Sequence, residues 1–190
     1  MGYCARRLAA ALVWCALAAP AAAQQHEPPN AVLLVAKPEL VDPNFRETVV
    51  LVTQSTDAHT VGVILNRPTE RRMEGHPEPL FAGGPVMGRV VVALFEAAEP
   101  PAASAFHVLE RVYLSMHPEN LAALLARPPA RLRLYSGFSG WAPGQLEDEL
   151  ARDGWYVLPA REAVIFRKST EGMWHELLEE ARNRERKKPA

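Results

Sequence analysis

The chain has 190 residues, a length that predicts a single domain. It contains 48% hydrophobic and 23% charged residues, which is the composition of an ordinary globular protein. The formal net charge is −1 and the basic runs are short, which argues against the strongly basic surface of a nucleic-acid-binding domain.

Residues 1–23 have the features of an export signal. The stretch begins with a basic pair, continues with an apolar run over 8–19 and ends in three alanines, which is typical of a secretory signal peptide. The apolar run is too short to span a membrane. We therefore predict a periplasmic or secreted protein cleaved near Ala23, with 24–30 as a linker. The alternative is an incorrectly assigned start codon on a cytoplasmic protein.

Cleavage at this point changes both the charge and the thiol content. The leader carries two arginines and no acids, so the mature chain has 19 basic and 22 acidic residues, a net charge of −3. Both cysteines, Cys4 and Cys15, leave with the leader. The mature chain is then predicted to have no membrane span, no disulfide, no cysteine-bound zinc and no cysteine nucleophile.

Three apolar runs early in the chain predict β-strands, at 31–36, 47–54 and 60–66. The second and third runs are joined by a short polar loop, which is typical of a hairpin. Because the runs are apolar on both faces, we expect strands that are covered on both sides.

The middle of the chain alternates loops with strands. The polar, proline-broken stretch 67–79 predicts a loop with at most one helical turn, and 81–88 predicts a glycine–proline turn. A buried strand is expected at 89–95, and one or two strands at 106–116. A helix is predicted to begin at Pro118, because proline is favoured in the first helical turn.

The last third of the chain brings in the helices. Because strands dominate and helices come late, we predict an α/β fold of the α+β type in a single domain over 31–181. The predicted elements are a strand with one wet face at 131–136, a glycine-rich loop at 137–144, a helix that ends near Gly154, strands at 155–160 and 163–167, an amphipathic helix at 171–184 and a charged flexible tail at 182–190.

The segment YSGFSGW, at 135–141, lies between a predicted strand and a predicted helix, as the nucleophile of a serine hydrolase does. That motif needs a glycine two residues after the serine, but Trp141 stands two residues after Ser139. In place of that glycine, the indole of Trp141 would obstruct the close approach of the strand to the helix. A hydrolase using Ser139 is therefore an alternative, and we predict no catalytic residue.

Glycines before a helix start also offer an anion site. Acids at 147–149 occupy the first helical turn and would repel an anion, so only a weak site is expected, and only if Arg67 reaches it. We favour a structural role for this segment. In that role Gly137 and Gly140 permit close backbone approach, Trp141 packs on the sheet, and the acids face water.

The histidines do not suggest a metal site, because no two of them have the spacing of a ligand pair. His117, next to Pro118, is predicted to start a helix. His26 and His76 lie in polar, proline-rich stretches and are predicted to be solvated. We predict no metal and no cofactor.

Several segments together resemble the bacterial YqgE/AlgH family. The resemblance covers residues from about Val32 to Trp174 and is carried by LLVAKPELVDPNFRETVVLV, VGVILNRPT, FAGGPV and YSGFSGWAPGQLEDEL followed by WYVLPA. It implies a single compact domain with a mixed, strongly curved sheet and flanking helices, and it places the family's shared surface features at 42–45, 66–68, 83–85 and 137–145. It implies no established enzyme activity, although a transcription-regulator label has travelled with the family. Members are typically cytoplasmic and lack a leader, so the leader is a departure here.

The resemblance and the loops together predict a binding surface. We predict an exported, non-catalytic binding or adaptor domain whose partner is a protein or a small anionic ligand, with no nucleic acid expected if the chain is exported. Arg67 itself is predicted to be a loop arginine that bonds a carbonyl or an aromatic ring. The alternatives are a cytoplasmic regulator and the Ser139 hydrolase. The predicted surface residues are Asn66, Arg67, Pro68, Gly83, Gly84, Pro85, Gly137, Ser139, Gly140, Trp141 and Gln145.

Overall fold

A ten-stranded mixed sheet organises the chain in the computed structural model, which describes residues 30–54 and 59–187. The strands are β1 (Val32–Ala36), β2 (Val49–Gln54), β3 (Thr60–Ile64), β4 (Pro68–Arg72), β5 (Pro79–Ala82), β6 (Val86–Glu96), β7 (Phe106–Leu109), β8 (Val112–Ser115), β9 (Leu132–Trp141) and β10 (Trp155–Pro159). The helices are α1 (Pro118–Ala126), α2 (Gln145–Ala151), α3 (Glu162–Ile165) and α4 (Met173–Arg186). This arrangement confirms the predicted α+β fold with a mixed sheet and flanking helices.

The sheet runs in the order β10-β1-β2-β3-β9-β6-β8-β7, with the β4–β5 pair attached at β9. Strand β9 holds the two halves of the sheet together. It pairs antiparallel with β3 near its end, antiparallel with β6 along its other side and parallel with β5 at Tyr135 and Ser136. The candidate site is built along this strand.

Hydrophobic side chains fill both faces of the sheet, as the early apolar runs predicted. In β1, Leu33 and Val35 enter the largest core cluster, which α4 covers, while Leu34 and Ala36 enter a second cluster beneath α2. Each of these four residues is fully buried. The indole Nε1 of Trp174 donates to the carbonyl of Ala36 at 2.7 Å and fixes α4 on the sheet.

Two predicted elements have a different structure. Residues 68–72, expected in a loop, form β4, whose polar side chains are mostly exposed because the strand bonds through its backbone to β5. Residues 163–167, expected as a strand, contain the single helical turn α3. The carbonyl of Arg161 accepts from the amides of Val164 and Ile165, at 2.9 and 3.0 Å, and closes that turn.

Several residues also differ from their predicted positions. Strand β9 extends through Trp141, so most of the expected glycine-rich loop is strand. The left-handed residue after α2 is Asp153, with φ 62°, rather than Gly154. His76, expected in solvent, is only 8% exposed, and this burial lowers the pKa of its imidazole.

The amino end of α1 is as predicted, with His117 as its cap. The Nδ1 atom of His117 accepts from the amide of Glu119 at 3.3 Å, and Pro118 occupies the first turn. The signal peptide and most of the linker lie outside the described residues, so those boundaries stay predictions. Helix α4 continues to Arg186, five residues beyond the expected end of the domain at 181. No helix among the described residues is long and apolar enough to cross a membrane.

A bidentate ion pair attaches α4 to the loop before α3, and we expect it to make stability pH-dependent. Arg161 donates to both carboxylate oxygens of Glu180, at 3.0 and 2.7 Å, and these bonds lower the pKa of Glu180 below its ordinary value. A lowered carboxyl pKa stabilises the fold above the unfolded-state pKa, and this contribution is lost as the pH falls through the folded-state pKa. Both side chains are partly exposed, so Glu180→Gln should cost only about 0.5–1 kcal/mol at neutral pH.

Urea unfolding from pH 7 down to the acid range will test this expectation. The difference between Glu180→Gln and the natural chain should shrink as the carboxyl protonates. Glu179→Gln is the control, since Glu179 pairs with Arg182 at the exposed surface. A Glu180→Gln cost that does not change with pH would contradict the assignment.

Candidate functional site

A tight turn at 42–46, hereafter the 42–46 turn, lies at the centre of the candidate site. The carbonyl of Asp42 accepts from the amides of Phe45 and Arg46 at 3.0 and 2.8 Å. The carboxylate of Asp42 also accepts from the amide of Asn44 at 2.7 Å, which is an Asx turn. With the turn closed in this way, the carbonyls of Pro43, Asn44 and Arg46 lie on one side of it and the Phe45 ring lies on the other.

Arg67 binds one side of this turn through its guanidinium. Nη1 donates to the carbonyl of Asn44 at 2.5 Å, and Nη2 donates to the carbonyls of Arg46 at 3.0 Å and Pro43 at 3.5 Å. These contacts agree with the prediction of a loop arginine that bonds carbonyls. A guanidinium has five N–H donors, so about two remain available to another partner.

Asn66 locks the neighbouring backbone, whereas Pro68 lies elsewhere. The side chain of Asn66 accepts from the amide of Val49 and donates to the carbonyl of Glu47, both at 2.9 Å. Glu47 has a positive φ of 57°, a strained conformation that the Asn66 bond supports. Pro68 is exposed and pairs with Phe81 in the β4–β5 ladder. Asn66 therefore shapes the turn, while Pro68 does not line the site.

A small cavity of about 170 Å³, hereafter the Arg67 cavity, opens beside the guanidinium. Among the described residues, no carboxylate forms an ion pair with Arg67, which donates to carbonyls alone. Partial burial, together with the like charge of Arg46, lowers the pKa of the Arg67 guanidinium, although the carboxylates of Asp42 and Glu47 act in the opposite direction. A negatively charged group in the cavity would offset both effects. The cavity is lined by Asn44, Ile64, Arg67, Ala82, Gly84 and Pro85.

Gly83 and Gly84 form the wall between this cavity and β9. The amide of Gly83 donates to the carbonyl of Ser136, and the carbonyl of Gly83 accepts from the amide of Ile64, both at 3.0 Å. A Cβ on Gly83 would lie 2.2 Å from the carbonyl oxygen of Gly137. Gly137 itself has φ 73°, which favours glycine. Gly83 and Gly137 therefore allow the close backbone contact that places the end of β5 against β9.

Ser139 does not have the position of a nucleophile. Its side chain is fully buried, and its hydroxyl donates to the carbonyl of Gly83 at 3.2 Å. Ser136 is partly accessible, but its hydroxyl donates to the carbonyl of Gly88 at 2.6 Å and accepts from Arg71 at 3.0 Å. A nucleophile needs access to its substrate and a neighbouring base, so neither hydroxyl supports the hydrolase alternative.

The opposite side of the 42–46 turn is aromatic. The Phe45 ring stacks on Trp141, with centroids 5.9 Å apart, and contacts Trp155 edge-on at 5.6 Å. The indoles of Trp141 and Trp155 both donate to Oε2 of Glu149, at 3.1 and 3.2 Å. Gln145 donates to Oε1 of the same carboxylate at 3.2 Å. Glu149, predicted to face water, is therefore the half-buried acceptor that organises this cluster.

The structure brings together some of the predicted site residues and separates others. Arg67, Gly84 and Pro85 share the Arg67 cavity. Trp141 and Gln145 lie on the other side of the 42–46 turn. The sequence-based set omitted Phe45, although the resemblance had pointed to 42–45, and it also omitted Glu149. Of the remaining predicted residues, Gly83, Gly137 and Ser139 form the wall between the cavity and β9. Asn66 supports the backbone behind the 42–46 turn, and Pro68 and Gly140 lie outside the site.

Comparisons with known proteins agree on one family. Residues 33–185 match the family model described as AlgH-like. A UPF0301 protein of Streptomyces avermitilis is 38% identical over 167 residues, covering 80% of this chain and 86% of that protein. A UPF0301 protein of Mycobacteroides abscessus is 32% identical over 163 residues, covering 77% of this chain and 76% of that protein.

Two solved structures share the fold. The solution structure of the AlgH protein from Pseudomonas aeruginosa superposes with a TM-score of 0.65 at 24% identity, covering 78% of this chain and 86% of that one. The crystal structure of a Corynebacterium diphtheriae protein gives a TM-score of 0.67 at 23% identity, covering 84% and 90%. At this level of identity the likeness concerns the fold alone.

Proposed function

The chain belongs to the AlgH-like family, and from that premise we propose that it is an exported, non-catalytic binding or adaptor domain. Its binding face is the 42–46 turn with the Arg67 cavity beside it. The names of the relatives state no activity, so the proposal is supported by the site itself.

The observation that carries the proposal is a partly buried guanidinium with donors left over. Arg67 is fixed by three carbonyls of the 42–46 turn and lines a cavity beside the Gly84 and Pro85 backbone. Fixing the side chain in advance lowers the entropy cost of binding. The rigid strands β3, β5 and β9 hold the walls, which is the usual setting for a binding loop.

The chemistry of this cavity suits a carboxylate. Planar guanidinium groups bind carboxylates through parallel N–H bonds, and Arg67 has about two donors available. At about 170 Å³ the cavity is below the ~300 Å³ of typical small-molecule pockets, so it suits one acidic group rather than a whole cofactor. We propose that the partner inserts a carboxylate, supplied by a protein segment or by a small anion.

Export is the second part of the proposal and has its own test. It is supported by the leader at 1–23, and an exported protein would not meet chromosomal DNA. Cell fractionation followed by amino-terminal sequencing should find a periplasmic or secreted chain that begins near Gln24. An unprocessed cytoplasmic chain would overturn this part and favour the regulator alternative.

Carboxylate capture is tested by titrating the protein with acetate and with a short acidic peptide, followed by NMR or calorimetry. Arg67→Lys should weaken binding about tenfold, because an ammonium group lacks the planar fork. Asn44→Asp should weaken it by a similar factor, because the new carboxylate lies beside Arg67 in the same cavity.

The second variant keeps the proposal testable if Arg67→Lys disturbs the 42–46 turn. Asn183→Asp makes the same chemical change on the exposed surface of α4 and should leave binding unchanged. Saturable binding that both cavity variants leave intact would contradict the proposed site. The proposal is also wrong if neither acetate nor the peptide binds in a saturable way. Saturation by acetate would favour a small anion, and saturation by the peptide alone would favour a protein segment.

A further inference from the structure

A second cavity, hereafter the Phe45 cavity, lies on the aromatic side of the 42–46 turn. Its volume is about 310 Å³, which is large enough for a small ligand or one inserted side chain. It lies between the 39–42 segment and the end of α2. Its lining residues are Glu39, Leu40, Val41, Asp42, Phe45, Glu149, Arg152, Asp153, Gly154 and Trp155.

Aromatic rings held in fixed positions form one wall of this cavity. Phe45 is half-buried between Trp141 and Trp155 and is held in contact with both rings. The two indoles cannot rotate freely, since each donates its N–H to Glu149. The face of an aromatic ring carries partial negative charge and attracts cations.

Glu149 adds a carboxylate that forms no ion pair with any of the described residues. Its described partners are the indoles of Trp141 and Trp155 and the amide of Gln145, all of them neutral donors. The side chain is half-buried, where an uncompensated charge interacts more strongly than in bulk water. A cation that enters the cavity therefore gains an attraction that water would largely screen at an exposed carboxylate.

The rest of the lining has the same sign. Glu39, Asp42 and Asp153 supply three further carboxylates, against the single guanidinium of Arg152. Within residues 30–54 and 59–187, Asp153 is the only one of these three acids that forms an ion pair, and its partner is Lys37. The cavity is therefore net negative as well as aromatic, whereas the Arg67 cavity on the other side of the turn is positive.

From this arrangement we infer that the Phe45 cavity binds an organic cation, an ammonium or guanidinium group on a short carbon skeleton. Organic cations combine the charge that Glu149 and Asp42 attract with the apolar surface that Phe45 and Trp155 cover. A metal ion is a poorer match, because the described residues include no group of three or more histidine, cysteine or acidic side chains arranged to hold one. This inference does not depend on the Arg67 cavity.

The indole N–H signals make the test direct. Titration of the full chain with a blocked arginine amide, and separately with tetramethylammonium, should shift the NMR signals of Trp141 and Trp155 in a saturable way. Both indoles bond the carboxylate that the cation approaches. Trp174 is the internal reference, because its indole bonds the carbonyl of Ala36 in the core.

Charge variants locate the site. Glu149→Gln should weaken binding about tenfold while keeping an oxygen that accepts from the indoles. Asp42→Asn should weaken cation binding several-fold, and it tests the same site if Glu149→Gln proves unstable. Glu147→Gln is the matched control, since Glu147 is exposed on the same helix and does not line the cavity. Arg152→Gln should tighten binding, because it removes the competing cation.

The outcomes separate the possible sources of the cation and the two cavities. Saturable binding of the blocked amide or of tetramethylammonium supports the site with a free small molecule as its ligand. A short arginine-containing peptide is the third probe, and binding of the peptide alone supports the site with a partner side chain as its ligand. The inference is wrong if no cation shifts the two indoles saturably, or if Glu149→Gln and Asp42→Asn bind as the natural chain does. These titrations are read at the indoles of Trp141 and Trp155, without acetate and without the Arg67 variants, so a failed anion site and a failed cation site give different results.

Discussion

Gly83→Ala is expected to lower the free energy of unfolding by about 3 kcal/mol or more, enough to unfold a marginally stable domain. The new methyl would lie 2.2 Å from the carbonyl oxygen of Gly137 and 3.0 Å from Cβ of Tyr135. Both are part of β9, the strand that joins the halves of the sheet. Gly83 cannot move away cheaply, because its amide and its carbonyl are both bonded in place, to Ser136 and Ile64.

Gly88→Ala is the matched control for this prediction. A Cβ at Gly88 meets nothing within 4 Å, and the residue does not have a positive φ. The change should therefore alter stability by less than about 0.5 kcal/mol. Chemical denaturation followed by circular dichroism measures both variants. Equal costs for Gly83→Ala and Gly88→Ala would show that the close approach of β5 to β9 is not required.

The same contact shapes the Arg67 cavity, so its disturbance has a functional consequence. Gly84 and Pro85 line that cavity and directly follow Gly83. Pushing residue 83 away from β9 would move them relative to Arg67, which is fixed separately to the 42–46 turn. A Gly83→Ala chain that still folds should therefore lose carboxylate binding in the Arg67 cavity. Its cation binding in the Phe45 cavity should be unchanged.

Much of the fold could be predicted because its strongest signals are local. The runs that became β1, β2 and β3 are apolar on both faces, and only a doubly covered strand buries both sides of such a run. The amphipathic spacing of Trp174, Leu177 and Leu178 likewise matched the buried face of α4. These patterns depend on neighbouring residues in the sequence and not on distant contacts.

The errors occurred where a distant backbone contact decides the structure. Strand β4 is polar because its bonds run through the backbone to β5, so its composition resembles a loop. Glu149 was expected in water because acids in a first helical turn usually face solvent. Its two indole donors come from Trp141, eight residues before it, and Trp155, six residues after it. Helical periodicity alone does not show such contacts.

The candidate site was predicted in part for the same reason. Gly83, Gly84 and Gly137 indicated a close contact between two backbone segments. Their positions in the sequence did not show whether that contact lines a cavity or forms the wall behind it. The 42–46 turn joins the Arg67 side to the Trp141 side, and that role depends on how β3 and β9 place Arg67 and Trp141. The resemblance had singled out 42–45, and that was the signal by which the centre of the site could have been found.

Arg133 gives the clearest case of a distant contact and the second large prediction. The alternation of RLRLYS predicted a wet face, but Arg133 is only 2% exposed and lies in the middle of the sheet. It donates to the carbonyls of Ile165 and Arg167 at 2.8 and 2.7 Å, and its guanidinium stacks over Phe81 at 4.6 Å. A buried arginine thereby holds the end of α3 against the sheet.

We expect Arg133→Met to cost about 3 kcal/mol of unfolding free energy, measured by urea denaturation. Replacing a buried ion pair with apolar residues is often tolerated, because both partners can be changed together. Here the hydrogen-bond partners are two backbone carbonyls, which no substitution can make apolar, and the carboxylate of Glu78 lies 3.8 Å from Nε. Methionine fills the volume, leaves both carbonyls without a donor and removes this ion pair. Arg131→Met is the control, since Arg131 is 45% exposed, pairs with Glu162 and should cost no more than about 1 kcal/mol. If the two methionine variants prove equally stable, then α3 is held by its buried Val164 and Ile165 and not by the arginine.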